Sequence, residues 1–185
     1  MGAILGLSGS LRRGSFNTML LRAAAEMAPA GTTIEIGSIE GIPLYNQDVE
    51  DQGIPQAVQA LKERVIATDG LLLVSPEYNN SIPGVMKNAI DWLSRPPSDV
   101  PRMFRDRPVG VIGVTPGAGG TVLAQIAWLA VLRTLGTAPW FGARVHAAKA
   151  RDLFDANGRL TDETARGQLQ TFVSGFAKYV DERKR

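Results

Sequence analysis

Short apolar runs alternate with amphipathic stretches along the chain, and this alternation constrains the fold more than any other feature of the sequence. It is typical of repeated βα units, in which consecutive strands lie parallel and helices cover both faces of the sheet. Strands covered on both faces are nearly continuous in their apolar residues. The predicted strands are residues 3–8, 33–38, 70–75, 109–115 and 140–145.

Helices with a 3.6-residue apolar period separate these strands. Five strands alternating with helices predict an α/β fold, a doubly wound five-stranded parallel sheet with the strand order 2-1-3-4-5. Because 185 residues favour one domain over two, we expect residues 1–185 to form a single domain. The stretch 94–108, with four prolines and four arginines, is predicted to be a long loop and is a candidate lid.

Composition excludes several classes of site. The chain has no cysteine, which excludes disulfides, thiolate metal sites and cysteine nucleophiles, and it has one histidine, His146. The net charge of +2 comes from dispersed residues, so no nucleic-acid partner is expected. No run of about 18 apolar residues suggests a membrane span, and because residues 1–10 lack a basic region before their apolar run, we expect no signal peptide. We therefore expect a cytoplasmic protein that binds no membrane.

In a sheet of this order, ligands bind beyond the carboxyl ends of the strands, at the point where the strand order reverses. The loop after the first strand leads into a helix that begins near Ser15 or Phe16, so unpaired N–H groups point into that loop. Ser10, Ser15 and Asn17 add neutral donors, and Arg12 adds a charged one. These features predict a phosphate site. The alternative is that Ser15 only caps the helix and Arg12 is solvated.

The loop after the third strand places Glu77, Tyr78, Asn79 and Asn80 directly behind a buried strand. A flat amphipathic ring needs polar groups along one edge and an aromatic or amide wall beside its face, and this loop offers both. The alternative is a simple turn built from turn-forming residues.

The loop after the fourth strand runs from Thr115 through Gly117 to Gly120, and its glycines allow a ligand to approach the backbone closely. It is not a Rossmann fingerprint, because Val122 stands where that pattern requires glycine and no acidic residue follows at the necessary distance. We expect Thr115 and Gly117 to line the same crevice as the other two loops.

Taken together, these segments resemble the NADPH-dependent FMN reductase family, the flavodoxin-like group that includes quinone, azo-dye and chromate reductases. The first loop matches the family pattern G-S-x-R-x-x-S-x-N, and residues 75–96, SPEYNNSIPGVMKNAIDWLSRP, match its flavin-ring segment. The resemblance covers most of residues 1 to about 140. It implies that the phosphate of FMN is held by Ser10, Arg12, Ser15 and Asn17, and that the isoalloxazine is lined by Pro76, Glu77, Tyr78 and Asn79.

The resemblance further implies an enzyme that passes electrons from NADPH or NADH to a small acceptor such as a quinone, an azo dye or another electrophile. The flavin itself accepts the hydride, so no catalytic side chain is predicted. A non-enzymatic flavodoxin-type electron carrier is the alternative, against which the near-neutral charge and Arg12 argue. Candidates for binding the 2′-phosphate of NADPH are the surface arginines Arg95, Arg102 and Arg105.

The helix at residues 121–135 is apolar nearly all round, which a helix that covers a sheet on one side does not require. We therefore expect its second face to pack on a partner subunit, in a homodimer or homotetramer.

Overall fold

A computed structural model of the chain describes residues 2–184. Its strands all pair in parallel, in the order β2-β1-β3-β4-β5, and β6 also lies beside β4. The strands are β1 (Gly2–Ser8), β2 (Thr32–Gly37), β3 (Gly70–Val74), β4 (Pro108–Val114), β5 (Ala138–Pro139) and β6 (His146–Ala147). The predicted doubly wound sheet and its order are confirmed.

The helices are α1 (Phe16–Glu26), α2 (Gln47–Glu50), α3 (Gln56–Ile66), α4 (Gly84–Leu93), α5 (Val100–Met103), α6 (Val122–Thr134), α7 (Ala150–Leu153) and α8 (Glu163–Asp181). One apolar core joins the sheet to α1 and α8, and a second core on the opposite face joins it to α3, α4, α5 and α6. β3 is buried along its whole length, as expected of a strand covered on both faces. Among residues 2–184, no helix has the length and apolar character needed to cross a membrane.

The predicted fifth strand at residues 140–145 is wrong in its position. The chain pairs with β4 in β5, leaves the sheet, and pairs with β4 again in β6. In between, the ring of Trp140 packs on α8, with its centre 4.9 Å from that of Phe172. It lies so close that a Cβ on Gly175 would come within 2.6 Å of it. Because the indole is accommodated against α8, this apolar segment bulges out of the sheet.

The predicted lid at residues 94–108 is also wrong. The segment follows the end of α4 and leads into the start of β4, so it lies at the opposite edge of the sheet from the loops that follow β1, β3 and β4. The buried ammonium of Lys62 on α3 binds the Asp99 carboxylate at 2.6 Å. Met103 and Phe104 are buried in the core. These contacts fasten the segment to α3.

Candidate functional site

The three loops at the carboxyl ends of β1, β3 and β4 pack directly on one another. The backbone N–H of Gly9 donates to the carbonyl of Val74 at 2.9 Å, and a Cβ at Gly9 would lie 2.9 Å from Pro76. At the end of β4, a Cβ at Gly113 would lie 2.1 Å from the carbonyl oxygen of Ser75. Contacts this close require glycine. The predicted meeting of the loops at the reversal of strand order is therefore present.

The first loop ends at the N-terminus of α1. Ser15 caps the helix, its Oγ accepting from the backbone N–H of Thr18 at 3.3 Å. N–H groups in the first turn of a helix have no partner within the helix, and this cap takes up one of them. The N–H groups of Phe16 and Asn17 remain beside the positive end of the helix dipole. This arrangement suits an anion.

Arg12 and Ser10 lie directly in front of this helix terminus. The guanidinium carbon of Arg12 is 5.3 Å from the ring centre of Phe16, the first residue of α1. The carbonyl of Arg12 accepts from the N–H of Ser15 at 3.0 Å, and the backbone N–H of Arg12 donates to Ser10 Oγ at 3.4 Å. The structure thus brings together Ser10, Arg12, Ser15 and Phe16, with the Arg12 charge held near the N-terminal end of the helix.

The Asn17 side chain differs from the prediction. It is buried, its Nδ2 donates to the carbonyl of Val114 at 2.8 Å, and its Oδ1 accepts from the N–H of Val114 at 3.1 Å. Both ends of the amide therefore bind β4. Asn17 can offer a phosphate its backbone N–H, while its side chain ties α1 to the sheet.

Glu77 also makes a contact that the sequence did not predict. Its Oε2 accepts from the backbone N–H of Ala124 at 2.9 Å, in the first turn of α6. Thr121, the residue at the cap position, makes no side-chain capping bond. The Glu77 carboxylate thus caps α6 from a distant part of the chain and compensates the helix dipole. This contact fastens the second loop to the third.

The second loop turns sharply after Tyr78. Tyr78 and Ser81 exchange two backbone hydrogen bonds of 3.1 Å, and the residues between them, Asn79 and Asn80, have φ values of 50° and 60°. Asparagine tolerates this left-handed conformation better than most residues, so the turn explains both of them. Tyr78 is 49% exposed at the edge of the loop cluster, where its ring can pack beside the face of a flat ligand.

The third loop is anchored at its base and open at its tip. The carbonyls of Thr115 and Gly117 accept from the N–H groups of Ala150 and Lys149, at 3.1 and 2.9 Å, at the start of α7. A Cβ at Gly119 would meet nothing within 4 Å. The exposed tip therefore offers backbone groups to a ligand beside the second loop.

Sequence reasoning missed the buried pair that sets the floor of this cluster. The indole N–H of Trp128 on α6 donates to Ser75 Oγ at 3.0 Å, and both residues are fully buried. The bond holds the end of β3 against α6. A serine closing an apolar run was the available signal, but nothing in the spacing connects it with a tryptophan 53 positions away.

The three arginines predicted as nucleotide contacts lie away from the loops. Arg95 follows α4, and its Nε donates to the Glu50 carboxylate at 2.8 Å. Arg102 belongs to α5, and Arg105 follows α5. All three lie beyond the C-terminal end of α4, at the opposite edge of the sheet, so the structure does not bring them to the loop cluster.

Comparison with known proteins places this geometry in a family. The model of the NADPH-dependent FMN reductase family matches residues 3–152. An NAD(P)H-dependent FMN reductase of Pseudomonas aeruginosa is 44% identical over 177 residues, covering 96% of this chain and 94% of that protein. A 2-hydroxy-1,4-benzoquinone reductase of a Burkholderia species is 39% identical, covering 95% of this chain and 94% of that protein.

A solved structure gives the same result for the fold. FerB, a flavoenzyme NAD(P)H:(acceptor) oxidoreductase of Paracoccus denitrificans, superposes with a TM-score of 0.90 at 31% identity, covering all of both chains. The chain therefore belongs to the NADPH-dependent FMN reductase family, which confirms the enzyme class and the cofactors, FMN and NAD(P)H, that the resemblance in its sequence implied.

Proposed function

We propose that this enzyme reduces quinones at the expense of NAD(P)H, with FMN held by the three loops. The overall reaction is NAD(P)H plus quinone plus a proton giving NAD(P)⁺ plus hydroquinone. The observation that carries the proposal is the cluster itself, in which an anion-binding helix terminus and an exposed tyrosine loop meet at the reversal of strand order. The quinone reductases among the relatives support the class of acceptor.

The first loop suits the phosphate of FMN. In this proposal the phosphate accepts hydrogen bonds from the backbone N–H groups of Phe16 and Asn17 and from Ser10 and Ser15, and it pairs with the Arg12 guanidinium. A guanidinium at the positive end of a helix dipole is well suited to a terminal phosphate.

The second and third loops suit the isoalloxazine. We assign its surroundings to Pro76, Glu77, Tyr78, Asn79, Asn80, Thr115 and Gly117. FMN, when bound, supplies the redox chemistry by accepting a hydride and passing two electrons on. These residues would hold the ring, direct backbone dipoles at its polar edge, and leave one face accessible to donor and acceptor. Donor and acceptor can then occupy the same position in turn.

Steady-state kinetics test this proposal. With NADPH and 1,4-benzoquinone varied together, we expect parallel double-reciprocal lines, because the donor must leave before the acceptor binds. One hydroquinone should form per NADPH oxidised, without any partner reductase. Intersecting lines would contradict the shared position. If quinone does not accelerate NADPH oxidation, the assignment of quinone as the acceptor is contradicted. If a partner reductase is required, the electron-carrier alternative is favoured.

We also propose that the outer face of α6 joins two copies of the chain, as a homodimer or as part of a homotetramer. Ile126 is 56% exposed, and Leu123 and Leu129 of α6 are also exposed. Beside them, where the chain bulges out of the sheet, Phe141 is 67% exposed and a groove of about 340 Å³ opens. A contiguous apolar surface of this kind is typical of an interface.

Two further expectations belong with this proposal. We propose that residues 1–185 act as one FMN-binding domain, which a single cooperative unfolding transition of the FMN-loaded protein would support. We also propose that the enzyme is cytoplasmic, which cell fractionation followed by detection of the chain tests directly.

A further inference from the structure

A cavity of about 390 Å³ opens beside the first loop, on the side that faces β2. It lies between α1 and the carboxyl ends of β1 and β2. It shares Ser10 and Arg12 with the proposed phosphate site, and the rest of its wall comes from Ser8, Leu11, Arg13, Thr18 and the segment 36–40. The proposed isoalloxazine surroundings lie on the other side of β1, after β3 and β4. The cavity is therefore adjacent to the flavin site and distinct from it.

One end of the cavity is cationic and rich in hydroxyl groups. Arg13 is exposed and makes no hydrogen bond or ion pair with any of residues 2–184. The hydroxyl of Thr18 on α1 donates to Ser8 Oγ at 3.0 Å at the end of β1. This end of the cavity suits a phosphate group, with which the Arg13 guanidinium can form an ion pair.

The other end combines an apolar surface with a carboxylate. Ile36, near the end of the edge strand β2, is 43% exposed. Glu40 follows on the exposed turn after β2, where Ser38 Oγ accepts from its N–H at 3.1 Å and fixes the turn. In dinucleotide-binding βαβ units, the residues after the second strand contact the adenosine ribose. A carboxylate there binds the hydroxyls of NAD, and an arginine accommodates the 2′-phosphate of NADP.

We propose that this cavity binds the adenosine end of NAD(P)H. Arg13 pairs with the 2′-phosphate of NADPH, Glu40 accepts from the ribose hydroxyls of NADH, and Ile36 supports the adenine. The inference rests on the proposed function, which places the nicotinamide over the flavin ring. A pyrophosphate and two riboses separate nicotinamide from adenine, so the adenosine must lie outside the isoalloxazine surroundings. This cavity lies next to the phosphate loop, on the side of β2 and at the same edge of the sheet.

Two variants with opposite expectations test the assignment by anaerobic reduction of the bound FMN. Arg13→Ala should raise the apparent dissociation constant for NADPH about 10-fold, equivalent to about 1.4 kcal/mol, and change that for NADH less than about twofold. Glu40→Gln should weaken the binding of NADH and leave the affinity for NADPH unchanged or slightly higher. Arg22→Ala, which removes the same charge from an exposed position further along α1, is the matched control and should change neither.

Reduced nicotinamide mononucleotide, which lacks the adenosine, separates this inference from the proposed function. It should reduce the wild type and all three variants at equal rates. If Arg13→Ala slows this truncated donor as much as it slows NADPH, the residue acts on the flavin and the assignment is overturned. If no reduced nicotinamide reduces the FMN of the wild type, the proposed function fails and the inference fails with it.

A binding measurement completes the test without turnover. Calorimetric titration of the FMN-loaded protein with adenosine 2′,5′-bisphosphate should show one site, about 10-fold weaker in Arg13→Ala and unchanged in Arg22→Ala. Absence of binding to the wild type, or equal affinity in the wild type and Arg13→Ala, would overturn the assignment.

Discussion

Arg12 is the residue whose replacement best separates phosphate binding from helix capping. Its guanidinium lies over Phe16 at the start of α1, and removing it should cost about 1.5 to 3 kcal/mol of FMN binding, a rise of about 10-fold to 150-fold in the dissociation constant. Affinity for riboflavin, which lacks the phosphate, should be the same in Arg12→Ala and the wild type. Fluorescence titration of the apoprotein measures both.

Arg13→Ala is the matched control for this experiment, because it removes the same charge from the next position and should leave FMN affinity unchanged. Equal losses for FMN and riboflavin in Arg12→Ala would show a distorted loop instead of a lost phosphate contact.

Asn17 is predicted to stabilise the fold. Replacing it with alanine leaves the buried N–H and carbonyl of Val114 without their partner, which should lower the free energy of unfolding by about 2 kcal/mol or more. Urea denaturation of the apoprotein measures this loss without interference from FMN. Asn157→Ala, at an exposed position, should change stability by less than about 0.5 kcal/mol, and an equally small change in Asn17→Ala would contradict this role.

For individual residues, the sequence predicted features that depend on neighbouring positions better than it predicted long-range contacts. Ser10, Arg12 and Ser15 could be placed at the start of α1 because the strand, the loop and the helix start that hold them are adjacent in sequence. The partners of Asn17 and Glu77 lie 97 and 47 positions away, so only the packed fold reveals them. A polar side chain near a predicted ligand site can bond to the protein's own backbone instead of to a ligand. The local sequence pattern does not distinguish these two roles.

Among the elements, the helix α6 depends on a cap from outside its own segment. Glu77→Ala removes the acceptor of the Ala124 N–H and should lower stability by about 1 kcal/mol. Thermal denaturation should show the loss, and Glu26→Ala, at an exposed position late in α1, should not. If Glu77→Ala is as stable as the Glu26→Ala control, the carboxylate does not hold the second loop to the third.

The short strand β6 carries a titratable group. Burial, and then the nearby charge of Arg144, lower the pKa of His146 below its usual value of 6.5. The unfolded chain therefore binds this proton more readily than the folded one, so the stabilisation is present above about pH 6.5 and is lost as the pH falls through the folded pKa. The melting temperature should drop between about pH 7.5 and pH 5.5, and His146→Gln should reduce that drop. An unchanged drop in the variant would contradict the assignment.

The elements themselves could be predicted where their pattern is local. Apolar runs and helical periods located β1 to β4, the start of α1 and the helix α6 to within a few residues. They failed at residues 140–145, where the Trp140 ring packs on α8 and removes an apolar segment from the sheet. They failed again at residues 94–108, where prolines and arginines suggested a lid although Lys62 and Asp99 fasten the segment to α3.

For the whole molecule, the apolar patch on α6 predicts self-association. Ile126→Glu places a charge in the centre of the exposed set formed by Leu123, Ile126, Leu129 and Phe141. It should shift the mass in light scattering toward the 19.8 kDa of one chain. Arg133→Glu, a charge change near the C-terminal end of the same helix, is the control and should leave the mass unchanged. A wild type that is already monomeric at micromolar concentration would contradict the interface.

The most direct test of the central claim, an FMN enzyme reduced by NAD(P)H, is the visible spectrum of the purified protein under anaerobic conditions. We expect a yellow protein whose flavin absorption bleaches when NADPH is added and returns when benzoquinone is added. Heating should release FMN, identified by chromatography, in a ratio of about one per chain. Release of FAD alone, failure of the apoprotein to take up FMN, or a flavin that NADPH and NADH leave oxidised would contradict the account.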